Sequence, residues 1–364
     1  MKRIVFCFDG TWNKLDAEHP TNVVVTAESI SPVAISDKEA VTQVIYYDEG
    51  VGTTKFENLM GGLFGVGLLK NLDDAYRFLI FNYNPGDEIY VFGFSRGAYS
   101  ARSFIGLIRN CGVLQRKYAS KVTEAIKHYT SRKADDAHNS EKMHLFRNNF
   151  CQKVCISADE DEWKRRNLTD YKSGDYPALT IKYVGVWDTV GSLGVPSKFE
   201  LLAKIFNRKY RFHDTRLSRF VESARHAVAI DEKRNSFTPT LWSNFKKLNR
   251  ETGISEDPDS APYQQKWFPG THGAVGGGGA RRGLSDESLL WVLEGARNVG
   301  LKIDNHSSSR IYDLEPDHTD FLENNPPPPI TRLYDWVVYF FMTKLLSHND
   351  RLPGPLSLFE VRGK

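Results

Sequence analysis

Residues 93–97 read Gly93-Phe94-Ser95-Arg96-Gly97, set between the apolar run Ile89-Tyr90-Val91-Phe92 and the helix formers Ala98-Tyr99-Ser100-Ala101. That order predicts a strand, a sharp turn with serine at its apex, and a helix. A turn this tight crowds the positions two before and two after the serine, where only glycine or a residue nearly as small fits. It exposes the serine oxygen and aims a helix N-terminus at it. Ser95 is therefore the candidate nucleophile, and the chain downstream has to supply a base and a carboxylate that orients it.

The apolar, β-branched run from Leu179 to Val186 predicts a buried strand ending at Trp187-Asp188-Thr189-Val190-Gly191. Asp188 then sits at a strand's C-terminal edge, where open α/β sheets place their chemistry. Among ten histidines, His272 is the better base. It lies in Trp267-Phe268-Pro269-Gly270-Thr271-His272-Gly273, ahead of four consecutive glycines, and a glycine-rich loop leaving a strand lets the backbone come close to the serine. His226 is the reserve base, in a segment from Arg219 to Ile230 that reads as a helix.

An oxyanion needs donors. One is the backbone N–H of Arg96, next after the nucleophile. A second is expected from Gly10 or Thr11, in the loop Asp9-Gly10-Thr11-Trp12-Asn13 that follows the apolar strand Arg3 to Phe8. Asp-Gly-Thr after a first strand also opens haloacid-dehalogenase-type phosphatases, but their nucleophilic aspartate would fall on Cys7. The glycine clusters at 61–67 and 276–279 lack both the Walker ending and the dinucleotide spacing, so neither predicts a nucleotide site.

Alternating elements argue for an α/β fold with a mostly parallel sheet covered by helices on both faces. Strands are expected at 3–8, 42–47 and 88–93. A helix near 67–82 would bury Leu68, Leu72, Tyr76 and Leu79, and a helix over 96–111 would stop at Gly112. Residues 115–176 form a charge-dense insertion that predicts either a helical cap over the site or a solvated decoration. Residues 243–262 read as a surface loop. Residues 1–305 are expected to form the catalytic domain and 306–364 a C-terminal extension. There Pro326 to Pro329 would act as a stiff spacer before the aromatic stretch Leu333 to Leu346, which suits a docked helix or an interfacial segment.

A formal net charge of +3 gives no argument for nucleic acid, although a mildly basic surface suits anionic lipid. Cysteines 7, 111, 151 and 155 have neither zinc nor redox spacing. Met1-Lys2-Arg3 runs straight into the first strand, so no signal peptide is expected, and no run approaches transmembrane length. The expectation is synthesis in the cytoplasm and, for an exported protein, a signal-independent route.

Six ordered motifs carry a resemblance: Phe8-Asp9-Gly10-Thr11-Trp12-Asn13, Gly50-Val51-Gly52-Thr53, Gly93 to Arg102, Gly185 to Gly191, Ala229 to Arg234 and Trp267 to His272. Over residues 3–300 the chain resembles the bacterial and fungal α/β-hydrolase domain typified by type VI secretion phospholipase effectors. The resemblance implies an α/β-hydrolase-like fold and a lipid or ester hydrolase. Ser95, Asp188 and His272 match the family's catalytic positions, and no metal or organic cofactor is implied. The expected substrate is the acyl ester of a glycerophospholipid, with peripheral membrane contact and an immunity or secretion protein as further partners. A small soluble ester or amide, and a catalytically silent binding module, are the alternatives. The chain departs from the family at Ala274, where an aspartate is usual, so a carboxylate expected to orient the histidine loop is missing.

Overall fold

The computed structural model describes residues 1–10, 13, 15–36, 39–50, 63–131, 133–191, 216–234, 237–253, 260–304 and 309–322. The described strands are β1 (Lys2–Phe8), β2 (Val33–Ser36), β3 (Glu39–Asp48), β4 (Glu88–Phe94), β5 (Ile181–Trp187), β6 (Val221–Ala229) and β7 (Tyr263–Phe268). They form one sheet in the order β2-β3-β1-β4-β5-β6-β7. Only β2 runs antiparallel, against β3, and every other pairing is parallel. The fold is thus α/β of the α/β-hydrolase type, as the alternation of elements predicts.

β1 shows why its sequence is an unbroken apolar run. Ile4, Phe6 and Phe8 point into one core, and Val5 and Cys7 into the other. A parallel strand covered on both faces has no polar side to alternate with. The first face is covered by α2 (Leu63–Asn82) and α3 (Arg96–Cys111). Leu68, Leu72, Tyr76 and Leu79 of α2 are buried there beside Phe104 and Ile108 of α3. The second face is covered by α1 (Asn22–Ser29) and by α9 (Gly283–Asn298), which contributes Leu289, Val292, Leu293 and Ala296. Gly112 ends α3 with a positive φ of 69° and its N–H on Ile108 O at 2.7 Å.

Two expectations change. Residues 221–229 are the strand β6, not a helix, with Val221–Ala227 registered on β5 and Ala224–Ala229 on β7. The three alanines there mimic helical propensity, but pairing on both edges overrides it. The stretch 243–262 contains the helix α7 (Phe245–Thr252), which buries Leu248 and stops at Gly253 with φ 65°. The insertion 115–176 holds α4 (Val122–Thr130), α5 (Glu141–Phe150) and α6 (Ala158–Asn167). Val122, Ala125, Tyr129, Met143 and Phe146 enlarge the core beneath α2 and α3. No hydrogen bond among the described residues joins the insertion to Ser95, Asp188 or His272.

The insertion's charge run is sorted by helical period. Glu160 and Lys164 turn inward, where Glu160 pairs with Arg147 at 2.8 Å and with Lys164 at 3.0 Å. Ile156 N–H and the Val154 carbonyl complete this buried network. Glu162, Arg165 and Arg166 face solvent.

The glycines around the strand-to-helix turn are fixed by close backbone approach. A Cβ on Gly97 would collide with the carbonyl oxygens of Phe8 and Asp9, and one on Gly93 would lie 2.7 Å from Gly97 O. Gly97→Ala is expected to cost about 1–3 kcal/mol, the usual range for overpacking. Gly279→Ala, which meets only a carbonyl 3.8 Å away, should be nearly neutral. Urea unfolding of both variants checks the difference.

Candidate active site

Ser95, Asp188, His272, Gly10 and Arg96 lie where strands leave the sheet at its C-terminal edge. Ser95 follows β4 with φ 59° and ψ −123°, a conformation rarely taken by a side-chain-bearing residue. Its N–H donates to Trp187 O at 3.0 Å, and its carbonyl accepts from Val190 N–H at 3.3 Å. The turn after β4 is therefore laced to the turn after β5. Ser95 is 7% exposed.

Asp188 follows β5 with φ 36° and is completely buried. Its N–H donates to Ala227 O at 2.7 Å. Its Oδ1 accepts from Ala229 N–H at 3.0 Å, and its Oδ2 meets His272 Nδ1 at 2.6 Å. His272 Nε2 lies 2.7 Å from Ser95 Oγ. A carboxylate can only accept, so Nδ1 carries the proton and Nε2 is left to accept from the serine hydroxyl.

His272 opens the short helix α8 (His272–Gly276), separated from β7 by three residues. Its ring lies beside two aromatics: Phe94 at 4.6 Å with an interplanar angle of 31°, and Phe237 at 4.7 Å with an angle of 62°. Its backbone is held by the loop after β6. Glu232 Oε2 accepts from His272 N–H at 3.2 Å, and Asp231 Oδ2 accepts from Gly270 N–H at 2.7 Å. These two acids hold the histidine loop from the β6 side, in a chain with alanine at position 274. A Cβ on Gly270 would come within 2.7 Å of the Ala274 Cβ, so that contact is already tight with alanine. Sequence reasoning placed Asp231 and Glu232 in a resembling motif but gave them no role in the site. The signal for them was two adjacent acids just past a strand that was read as a helix.

His226, the reserve base, sits inside β6 with no solvent exposure. Its Nε2 accepts from Thr189 N–H at 3.3 Å, and Nδ1 faces Gln265 Oε1 at 3.0 Å. Burial, and then the charge of Arg102, push its pKa down to about 3. It is a neutral strut under the turn that carries Asp188, with both nitrogens engaged away from Ser95.

Gly10 lies against the nucleophile: a Cβ there would be 3.3 Å from Ser95 Cβ. Its N–H donates to Asp9 Oδ1 at 2.6 Å. Asp9 is buried and also accepts from Asn13 Nδ2 at 3.1 Å, Thr21 Oγ1 at 2.7 Å and Tyr47 Oη at 2.9 Å. Burial raises its pKa and these four donors oppose the rise. Arg96 is the first residue of α3, which places its N–H at the helix N-terminus beside the serine. Thr11, the motif residues 51–53 and the C-terminal segment 326–346 lie outside the described residues. No described helix is long and apolar enough to cross a membrane.

A serine on a strand-to-helix turn, an imidazole and a buried carboxylate in hydrogen-bonded series, on a sheet of this order, mark an α/β-hydrolase-type protein. The chain belongs to the family described as T6SS, phospholipase effector Tle1-like, catalytic domain, whose model matches residues 2–295. It is 28% identical over 251 residues to the uncharacterized protein YEL023C of Saccharomyces cerevisiae, a match covering 65% of this chain and 32% of the relative. It is also similar to the crystal structure of an uncharacterized protein from Pseudomonas aeruginosa, with a TM-score of 0.45, 16% identity, and coverage of 98% of this chain and 52% of that one. The structure of the Tle1 effector bound to the VgrG spike of the type 6 secretion system matches with a TM-score of 0.39 and 18% identity, covering 77% of this chain and 51% of that one. The chain thus spans about a third of the curated relative's length and about half of these two structures.

Glu232 gives a pH-dependent prediction. Burial pushes its carboxyl up, but hydrogen bonds from the Arg234 side chain, Arg234 N–H and His272 N–H outweigh that and hold it down at about 2. An acid with a lowered folded pKa stabilises fully above its ordinary range, and the stabilisation is lost as pH falls through the folded value. Thermal unfolding of the wild type should therefore weaken between about pH 4.5 and 2. Glu232→Gln should show a shallower loss across that window.

Proposed function

We propose that this chain is a serine hydrolase of carboxyl esters acting on the acyl ester of a glycerophospholipid. The observation that carries the reading is the unbroken series Asp188 Oδ2, His272 Nδ1, His272 Nε2, Ser95 Oγ, with separations of 2.6 and 2.7 Å. Membership of a phospholipase effector family supports the lipid class. In this reading residues 1–305 are the catalytic domain and 306–364 an extension of it. A secretion-spike protein is the proposed class of partner, by analogy with the Tle1 effector.

His272 Nε2 takes the Ser95 proton as Oγ attacks the acyl carbonyl, while Asp188 holds the tautomer and stabilises the imidazolium. The carbonyl oxygen becomes an oxyanion stabilised by Arg96 N–H. Gly10 N–H becomes a second donor on turning from Asp9 Oδ1; Thr11 is the other candidate for that place. The tetrahedral intermediate collapses, the lysolipid alcohol leaves with the proton from His272, and an acyl-serine remains. Water, deprotonated by the same imidazole, then releases the fatty acid. His226 stays neutral throughout and acts only on the position of Asp188.

The test is labelling by a fluorophosphonate probe together with fatty-acid release from mixed phospholipid vesicles. Wild type should label and release, and Ser95→Ala and His272→Ala should do neither. Asp188→Asn should keep the fold and lose about 10⁴ in turnover, as expected when the imidazole tautomer is wrong. Labelling without lipid hydrolysis would shift the substrate to a small soluble ester. Absence of labelling in folded wild type would overturn the hydrolase reading.

A further inference from the structure

A second cleft lies far from Ser95. It has a volume of about 570 Å³, within the range of small-molecule sites. It opens between the last turns of α3, the connection from α4 to α5, and the residues leading into β6. Arg109 lies about 20 Å further along α3 than Arg96 at 1.5 Å per residue, so the cleft is at the opposite end of the strands from the serine. A narrow extension of about 30 Å³ runs inward from it towards Trp242.

Its lining carries three cations and one acid. Arg109, Lys133 and Arg216 line it from three separate chain segments. None of the three has a carboxylate within ion-pair distance among the described residues. Arg109 instead donates to a neutral acceptor, with its Nη2 3.0 Å from His138 Nε2. The acid in the lining, Asp136, is already satisfied: its Oδ1 meets Lys142 Nζ at 2.6 Å and His128 Nδ1 at 2.8 Å. Burial, and then the charges of Arg109 and Arg147, opposed by Asp159, push the His138 pKa down to about 4.

We propose that this cleft binds a small phosphate-bearing anion. Two guanidinium forks and one ammonium match the oxygens and charge of a dianion better than those of a single carboxylate. The volume exceeds what inorganic phosphate needs, and Leu217 and Tyr129 offer an apolar wall for the organic body that carries it. The phosphate can come from a soluble phosphate ester or from an anionic lipid headgroup. The site is independent of the hydrolase reading, since none of its residues touches Ser95, Asp188 or His272.

The test uses the full chain with glycerol 3-phosphate as the soluble probe and phosphatidylcholine vesicles with or without phosphatidic acid as the lipid probe. Wild type should bind one of the two, with the His138 ring titration moving upward from about 4. Lys133→Gln/Arg216→Gln should bind about tenfold more weakly or worse, the loss expected for charge-assisted hydrogen bonds. It should still label at Ser95, or show wild-type circular dichroism if the wild type does not label. Binding of the soluble ester identifies that source, and binding of phosphatidic acid vesicles alone identifies the headgroup. Failure to bind either probe, or equal binding by the double variant, would overturn the proposal.

Discussion

Two backbone hydrogen bonds tie the turn after β4 to the turn after β5: Ser95 N–H to Trp187 O, and Val190 N–H to Ser95 O. Both turns hold a non-glycine residue at positive φ, Ser95 at 59° and Asp188 at 36°. Neither conformation would persist in an isolated loop, where each costs on the order of 1–3 kcal/mol. The exchange of bonds between them, backed by Asp188 N–H on Ala227 O, sets the distance from the serine to the carboxylate before any side chain is considered. The imidazole then has one gap to fill.

That gap is filled from further along the sheet, and the histidine loop is secured on both flanks. Asp231 and Glu232 grip Gly270 and His272 from the β6 side. On the other flank, Asn22 Nδ2 at the start of α1 donates to Val275 O and to Ser285 O, each at 3.0 Å. The arrangement explains why a chain without an acid at position 274 still holds His272 between Ser95 and Asp188. The carboxylates that hold this loop come from the exit of β6.

The positions of Ser95, Asp188 and His272 were legible in the sequence because each follows a recognisable apolar run, and parallel strands deliver their C-terminal ends to one edge. The helix faces of α2 and α3 were legible through their period. β6 was not, because Glu222, Arg225 and His226 interrupt its apolar residues and its real determinant is the partner strand on either side. The buried trio Arg147, Glu160 and Lys164 was hidden within a run of charges that looks uniformly wet, and only the helical period of α6 separates its inner from its outer members. The bond from Gly10 N–H to Asp9 was invisible for a different reason: it depends on four donors converging on one carboxylate from three separate elements.

The tilted packing of Phe94 on His272 has an electronic consequence. Phe94 comes immediately before Ser95, so the same turn that presents the hydroxyl lays an aromatic face 4.6 Å from the imidazole, tilted by 31°. A proton taken up by that ring would create a cation over a π cloud, an attraction worth about 0.5–2 kcal/mol depending on desolvation. A single dipeptide would then both give the proton and help to shelter the charge that it makes.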